Sequence, residues 1–260
     1  MKCIILCGGR GVIDPESHSR IPKCLLKVGN RPLVWHIMKL YSSYGVNDFI
    51  LALGYGGDQI KSYFINSFEY LHDIEVNVAN SEVKTLNKIP EENWKVKLVD
   101  TGVTANTGAR IARCERFVKH ETFFISYSDI LADVNIRNLL EFHQQRNKIL
   151  TITGVQPVSR FGAFQLNDDE VIDYSAFSKI EMNASRINGG FMVANSDLFK
   201  IISPISECNL ESEVFELLLQ KKQLALWQHD GFWQNVDTER ELQVMQELYV
   251  KNKRPWLGIN

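Results

Sequence analysis

The sequence predicts an α/β fold, with a central sheet that is parallel in its first half and mixed in its second, flanked by helices. Two observations predict it. Through about the first half, short uninterrupted apolar runs alternate with stretches at helical spacing, which is the order of β-α-β units with crossover helices on both faces. In the second half the alternation loses its regularity and short strand candidates outnumber helices, so the added strands need not run parallel to the first.

Taken in order, Cys3–Cys7 is a continuous apolar run that breaks into Gly8-Gly9-Arg10-Gly11, a buried strand ending in a turn. Pro32–Tyr44 carries Leu33, Val34, Ile37, Met38, Leu40 and Tyr41 at helical spacing, with Pro32 at the start, where a missing N–H costs nothing. Phe49–Leu53 is a second buried strand closed by Gly54-Tyr55-Gly56-Gly57, and Asp58–Phe68 returns to helical spacing through Ile60, Tyr63, Phe64 and Phe68. Lys95–Val99 predicts a third strand, Gly108–Val118 a helix, and Thr122–Tyr127 a fourth strand that runs into Ser128-Asp129. Residues 80–94 are polar and unpatterned, and are expected to form a loop or arm of low local stability. Beyond them Leu150–Val155, Ala163–Leu166, Glu170–Tyr174, Gly189–Val193 and Ala225–Gln228 read as short strands, with helices at Asn138–Arg146, Ser212–Lys221 and Glu239–Lys251. Residues 1–260 are expected to form one domain, the segment 80–94 being its only appendage.

A formal net charge of −2 gives no general field for attracting nucleic acid or an anionic membrane, so any polyanion must be held by a few local groups. A small-molecule partner is expected. The five cysteines, at 3, 7, 24, 114 and 208, are odd in number and lack C-x-x-C spacing, which argues against both a disulfide framework and a zinc cluster. Cys3 and Cys7 read as small core residues. Neither a signal-peptide pattern nor an uninterrupted apolar stretch of spanning length is present, and a cytoplasmic protein is expected.

In sheets of this kind ligands collect at the carboxyl ends of the strands, where Gly8, Gly9 and Asp129 fall. Glycines 8, 9 and 11 let backbone approach a phosphate closely, although the spacing matches neither common nucleotide-loop pattern and equally describes a plain turn. Lys23 can fold back over such a loop or stand solvated. Asp129 ends an apolar strand, where a charge needs a partner; a divalent cation and a capping role are both open to it. Asp237, in "GFWQNVDTER", can share that cation or cap the following helix. Asn106–Arg110, "NTGAR", puts a hydroxyl, a glycine and an arginine at a helix start. Ser159–Gly162 and Arg186–Gly190 join a cation or amide to glycine and read also as turns, and His36 reads as a packed residue.

The segments "IILCGGRG", "PKCLLKVGNRPLVWHIMKLYSSYGVNDFILALGYGGDQIKSYF", "WKVKLVDTG", "NTGARI", "YSDILADVNI", "RFGAFQL", "INGGFMV", "GFWQNVDT" and "NKRPW" together resemble the sugar-phosphate nucleotidyltransferases, and within them the glucose-1-phosphate cytidylyltransferases, over nearly the whole chain. The resemblance implies a Rossmann-like mixed sheet of the nucleotide-diphospho-sugar transferase type. It implies a reaction in which a sugar 1-phosphate attacks the α-phosphorus of a nucleoside triphosphate, CTP by the overall likeness, and pyrophosphate leaves. It implies that Gly8, Gly9 and Gly11 cradle the triphosphate, with Leu6 and Arg10 in the same nucleotide-binding set. Lys23 would sit on the phosphates, and Thr107, Gly108 and Arg110 would face the nucleotide. Asp129 and Asp237 would hold Mg²⁺, while Lys179, Asn188 and Gly189 would address the sugar phosphate. It further implies self-association.

The sequence also departs from that pattern. The family loop G-G-x-G-T-R ends here in Val12-Ile13; the lysine two residues before Lys23 is Ile21; the glycine before the metal aspartate is Ser128; and Glu-Lys-Pro near the sugar site reads Ser178-Lys179-Ile180. A loop arginine on a transferring phosphate can be worth about a thousandfold in rate. Either Arg10 or Arg20 supplies that charge from a neighbouring position, or the chain binds nucleotides without turning them over. Retention of Lys23, Asp129 and Asp237 together favours the working enzyme. A nicotinamide-dependent oxidoreductase would want an acidic residue at the end of the second strand, where Gly54 stands.

Overall fold

The structure, a computed structural model, describes residues 1–9, 11–13, 19–71, 73–86, 92–156, 163–167, 170–175 and 186–257. Seven strands form the central sheet: β1 (Lys2–Cys7), β2 (Asp48–Leu53), β3 (Lys95–Asp100), β4 (Phe123–Tyr127), β5 (Leu150–Val155), β6 (Ile187–Ala194) and β7 (Leu224–His229). Their order is β7-β5-β6-β4-β1-β2-β3. β1 pairs in parallel with β2 and β4, and β2 with β3. β6 then enters antiparallel to both β4 and β5, while β7 runs parallel to β5. The sheet turns mixed at β6, in the second half of the chain as expected.

Alternation of side chains along each strand divides the interior into two cores. Cys3, Ile5 and Cys7 of β1 face one side, packed on Leu33, Ile37, Met38 and Tyr41 of α1 (Leu33–Ser43). Ile4 and Leu6 face the other, with Ala109 and Ile111 of α3 (Thr107–Arg113) and Val118 of α4 (Glu115–Val118). Between α1 and α3 in the chain lies α2 (Gly57–Leu71). After them come α5 (Ile136–Arg146), α6 (Phe215–Gln220) and α7 (Glu239–Val250). All five cysteines are free and buried. No helix among the described residues is long and apolar enough to cross a membrane.

His36 staples the C-terminal tail to the first core. The Val28 carbonyl only accepts, so the 2.9 Å contact identifies Nε2 as the protonated nitrogen and leaves Nδ1 to accept from Trp256 Nε1 at 3.2 Å. Burial, only partly offset by the Val28 and Arg31 carbonyls, lowers the His36 pKa to about 4. The packed role expected of it holds.

Three local expectations change. The helix expected over 108–118 starts at Thr107 and breaks at Cys114, which separates α3 from α4. The arm expected to lack regular structure begins inside a hairpin of Ile74–Asn77 with Glu82–Thr85. Apart from half-buried Ile74 and Thr85, both of its strands are exposed throughout, so no buried face wrote an alternating apolar pattern into the sequence; residues 87–91 lie outside the described residues. The helix expected over 212–221 opens earlier, with a π turn at Leu210–Val214 capped by the Asn209 side chain.

Candidate active site

A cleft of about 640 Å³ opens at the carboxyl ends of β1 and β4, and Leu6, Gly8, Gly9, Gly11, Lys23, Thr107, Arg110 and Asp129 all line it. These are residues the sequence had marked. On its wall Lys23 stands between two carboxylates, of which Asp129 lines the cleft and Asp237 does not: Nζ lies 2.5 Å from Asp237 Oδ1 and 3.3 Å from Asp129 Oδ2. The elements explain the meeting. Ile130–Ala132, directly after Asp129, pairs antiparallel with Trp233–Asn235, Ile130 opposite Asn235, and the Val236 amide donates to the Asp129 carbonyl at 2.8 Å. That ladder carries Asp237 beside the end of β4.

Asp237 is not the helix cap. The cap of α7 is Thr238, whose hydroxyl accepts from the Glu241 amide while the Glu241 carboxylate accepts from the Thr238 and Asp237 amides, a closed capping box. Asn235 Nδ2 donates to the second Asp237 oxygen at 2.7 Å and fixes the carboxylate plane. Burial raises the Asp129 pKa, with Lys23 opposing and Asp237 adding to the shift. Burial pulls the Lys23 ammonium down, but its two carboxylates outweigh this and its pKa ends raised. The site thus holds two negative charges on one positive charge, and an additional cation would be stabilised there.

The glycine turn is built around a second cation. The Arg110 side chain passes beneath it: Nη1 donates to the carbonyls of Leu53 and Gly102 and to Thr101 Oγ1, and Nη2 donates to the carbonyls of Gly8 and Val103, all within 3.2 Å. Every partner it has among the described residues is a neutral oxygen. A Cβ on Gly8 would stand 2.0 Å from the Arg110 guanidinium carbon, so only glycine admits the arginine there. Gly11 has φ +71° and would drive a Cβ to 2.6 Å from the Ile21 carbonyl. Gly9 differs, because nothing stands within 4 Å of where its Cβ would be. Its missing side chain leaves room on the cleft side.

Other marked residues take varied places. Thr107 Oγ1 donates to Glu211 at 2.5 Å and accepts from the Leu210 amide at 3.0 Å. Gly108 turns inward, where a Cβ would meet Cys208 Sγ at 2.8 Å. Asn188 Nδ2 donates to the Tyr127 hydroxyl at 2.9 Å. Gly189 is buried in the sheet against Val155 and Thr153. Ser128, standing where the resemblance expects glycine, donates its hydroxyl to the Leu6 carbonyl at 2.7 Å. The turn read at Arg186–Gly190 is instead the start of β6, where Arg186 braces strand ends through the Gly154 and His229 carbonyls and Asp230. Arg10, Lys179 and Ser159–Gly162 lie outside the described residues.

Tyr127 and Glu211 carry no local mark of site residues. Tyr127 reads as the last residue of an apolar strand, and Glu211 stands just before the helix expected over Ser212–Lys221. Only the fold sets them together on the cleft wall, where the Tyr127 hydroxyl donates to Glu211.

Comparison with known proteins places the chain in a family. A sequence model described as "Nucleotidyl transferase" matches residues 2–249. A glucose-1-phosphate cytidylyltransferase of Salmonella typhimurium is 37% identical over 257 residues, covering 98% of each chain. Among solved structures, a UDP-glucose pyrophosphorylase from Acinetobacter baumanii superposes with a TM-score of 0.66 at 15% identity, over 95% of this chain and 92% of that one. HddC from Yersinia pseudotuberculosis, complexed with GMP-PN, superposes at 0.65 with 20% identity over 95% and 99%. At such identities the superpositions speak for the fold, while the full-length sequence matches decide the family. This chain belongs to the nucleotidyl transferase family.

Proposed function

We propose that this protein joins a sugar 1-phosphate, glucose 1-phosphate or a related sugar, to a nucleoside triphosphate, CTP by its likeness to the cytidylyltransferase of Salmonella. A phosphate oxygen of the sugar 1-phosphate attacks the α-phosphorus, the bond from that phosphorus to the bridging oxygen breaks, pyrophosphate leaves, and an NDP-sugar forms. Such a transfer asks the protein mainly for in-line positioning and neutralisation of charge. The observation that carries this reading is Lys23, on the cleft wall, held between Asp129 and Asp237.

Asp129 and Asp237 are the residues that would hold Mg²⁺. Their donor set fits the ion: hard carboxylate oxygens, on a half-buried Asp129 and an exposed Asp237 that share the one Lys23 ammonium. When bound, Mg²⁺ neutralises and polarises phosphate oxygens. Lys23 offers an ammonium to the same phosphates, the Gly9 turn leaves them room, and Arg110 keeps the turn in shape while its charge lies under it.

Arg20 is the residue we assign to the charge lost at Ile13. Val12–Ile13 pairs antiparallel with Arg20–Ile21, and Arg20 stands directly opposite Ile13, so the two positions share a face of the ribbon. Self-association belongs to the same reading: the hairpin of Ile74–Asn77 and Glu82–Thr85 exposes Val76, Val78 and Val83, and a two-stranded ribbon gains most from a partner. Five free, buried cysteines fit a reducing cytoplasm.

The alternative, a relative that binds nucleotides without turnover, draws on the departures from the family pattern at Val12-Ile13, Ile21, Ser128 and Ser178-Lys179-Ile180. The test is pyrophosphate release from each nucleoside triphosphate with glucose 1-phosphate and Mg²⁺. Release with CTP supports the transferase; calorimetric binding with no release supports the alternative.

A further inference from the structure

Glu211 stands at the opening of the π turn Leu210–Val214, a rare helical form that concentrates at functional sites. Asn209 caps the turn and holds Glu211 by its own amide, at 2.9 Å. Both carboxylate oxygens are engaged, one by the Thr107 hydroxyl and the other by the Tyr127 hydroxyl. Tyr127 in turn accepts from Asn188 Nδ2. One carboxylate therefore joins the start of α3, the end of β4 and the start of β6. The first lies on the wall with Ala105 and Asn106; the last carries Asn188, the side chain that the family resemblance implies would address the sugar phosphate. Burial, with the adjacent Glu211 charge, raises the Tyr127 pKa, so the phenol stays a proton donor to the carboxylate at any working pH.

From this geometry we infer that Glu211 is a positioning residue of the transfer reaction, which sets the nucleotide wall and the sugar-phosphate wall of the cleft at a fixed separation through Thr107 on one side and Tyr127–Asn188 on the other. A carboxylate suits this role because it accepts from both hydroxyls at once and donates to neither. In-line attack is sensitive to small displacements of either partner, and here a single group governs both. The inference rests on the assignment of the cleft made above.

The test is steady-state kinetics of Glu211→Ala, Glu211→Gln, Thr107→Val and Tyr127→Phe, with calorimetric titration of CTP and of glucose 1-phosphate on the same folded samples. Glu211→Ala is expected to raise KM and the dissociation constant for both substrates, by about tenfold each. Thr107→Val should raise mainly the nucleotide's and Tyr127→Phe mainly the sugar phosphate's. Glu211→Gln, which keeps one acceptor oxygen, should fall between wild type and alanine. If Glu211→Ala leaves both constants within about twofold of wild type, the inference fails; if it lowers only melting temperature or active fraction, the residue is structural and the inference fails equally. A wild-type protein that neither binds nor turns over these substrates overturns the cleft assignment itself, an outcome visible without any variant.

Discussion

Two cations meet this cleft and are held in opposite ways. Lys23 is half-buried and neutralised by two carboxylates. Arg110 is 3% exposed and surrounded by carbonyl and hydroxyl oxygens that carry no net charge. A charge paired with one half-buried and one exposed carboxylate can change partners when a phosphate arrives, whereas a guanidinium fixed by five neutral oxygens cannot leave without stranding them. The contrast separates a group placed to act on a substrate from one placed to shape the surface on which the substrate lies.

The largest expected effect tests the first half of that contrast. Lys23→Ala, Asp129→Asn and Asp237→Asn should each lower kcat by about a thousandfold or more while circular dichroism and melting temperature stay near wild type, since the pairs they break are partly solvated. Arg110→Ala should reverse the pattern, costing about 3 kcal/mol or more of stability, because five buried acceptors lose their donor, measurable by urea unfolding. Arg110→Lys should recover little of it, because one ammonium cannot span both sides of the turn. If Arg110→Ala were fully stable and merely slow, the distinction drawn here would collapse.

His36 extends the comparison to a group that stays neutral. In the folded chain its pKa is lowered to about 4 by burial; in the unfolded chain it titrates near its ordinary value, about 6.5. Between those values the unfolded state binds the extra proton, so stability rises with pH across the window. The contribution is complete above about 6.5 and is lost as pH falls toward about 4, by roughly 3 kcal/mol in all. Denaturant unfolding at a series of pH values should show that slope, and His36→Gln should flatten it. The smallest effect concerns the Thr238 cap next to Asp237. Thr238→Ala should cost about 1 kcal/mol and raise the Mg²⁺ concentration needed for half-maximal activity, because the backbone bearing Asp237 loses its anchor.

Much of this was legible because the relevant signals are local. An apolar run broken by glycines announced β1 and its turn, and parallel alternation placed Asp129 at a strand end. What stayed hidden depends on contacts across the chain. Arg110 reads as a nucleotide contact in "NTGAR", and only the packing of α3 beneath β1 and β2 turns it under Gly8 and Gly54. Asp237 and Thr238 are adjacent candidates for one cap, and it takes the Glu241 capping box to assign it. Glu211 and Tyr127 lie 84 residues apart, and the hairpin after residue 73 buries too little to leave a pattern. Pairings of this kind are set by topology and leave no local trace.

The most direct measurement is pyrophosphate release from CTP and glucose 1-phosphate with Mg²⁺, in wild type beside Lys23→Ala. Steady release by the wild type, reduced about a thousandfold in a folded variant, is the predicted result. Equal rates in the two proteins, or a wild type inert with every nucleoside triphosphate, would contradict the assignment of Lys23, Asp129 and Asp237 as the transfer centre.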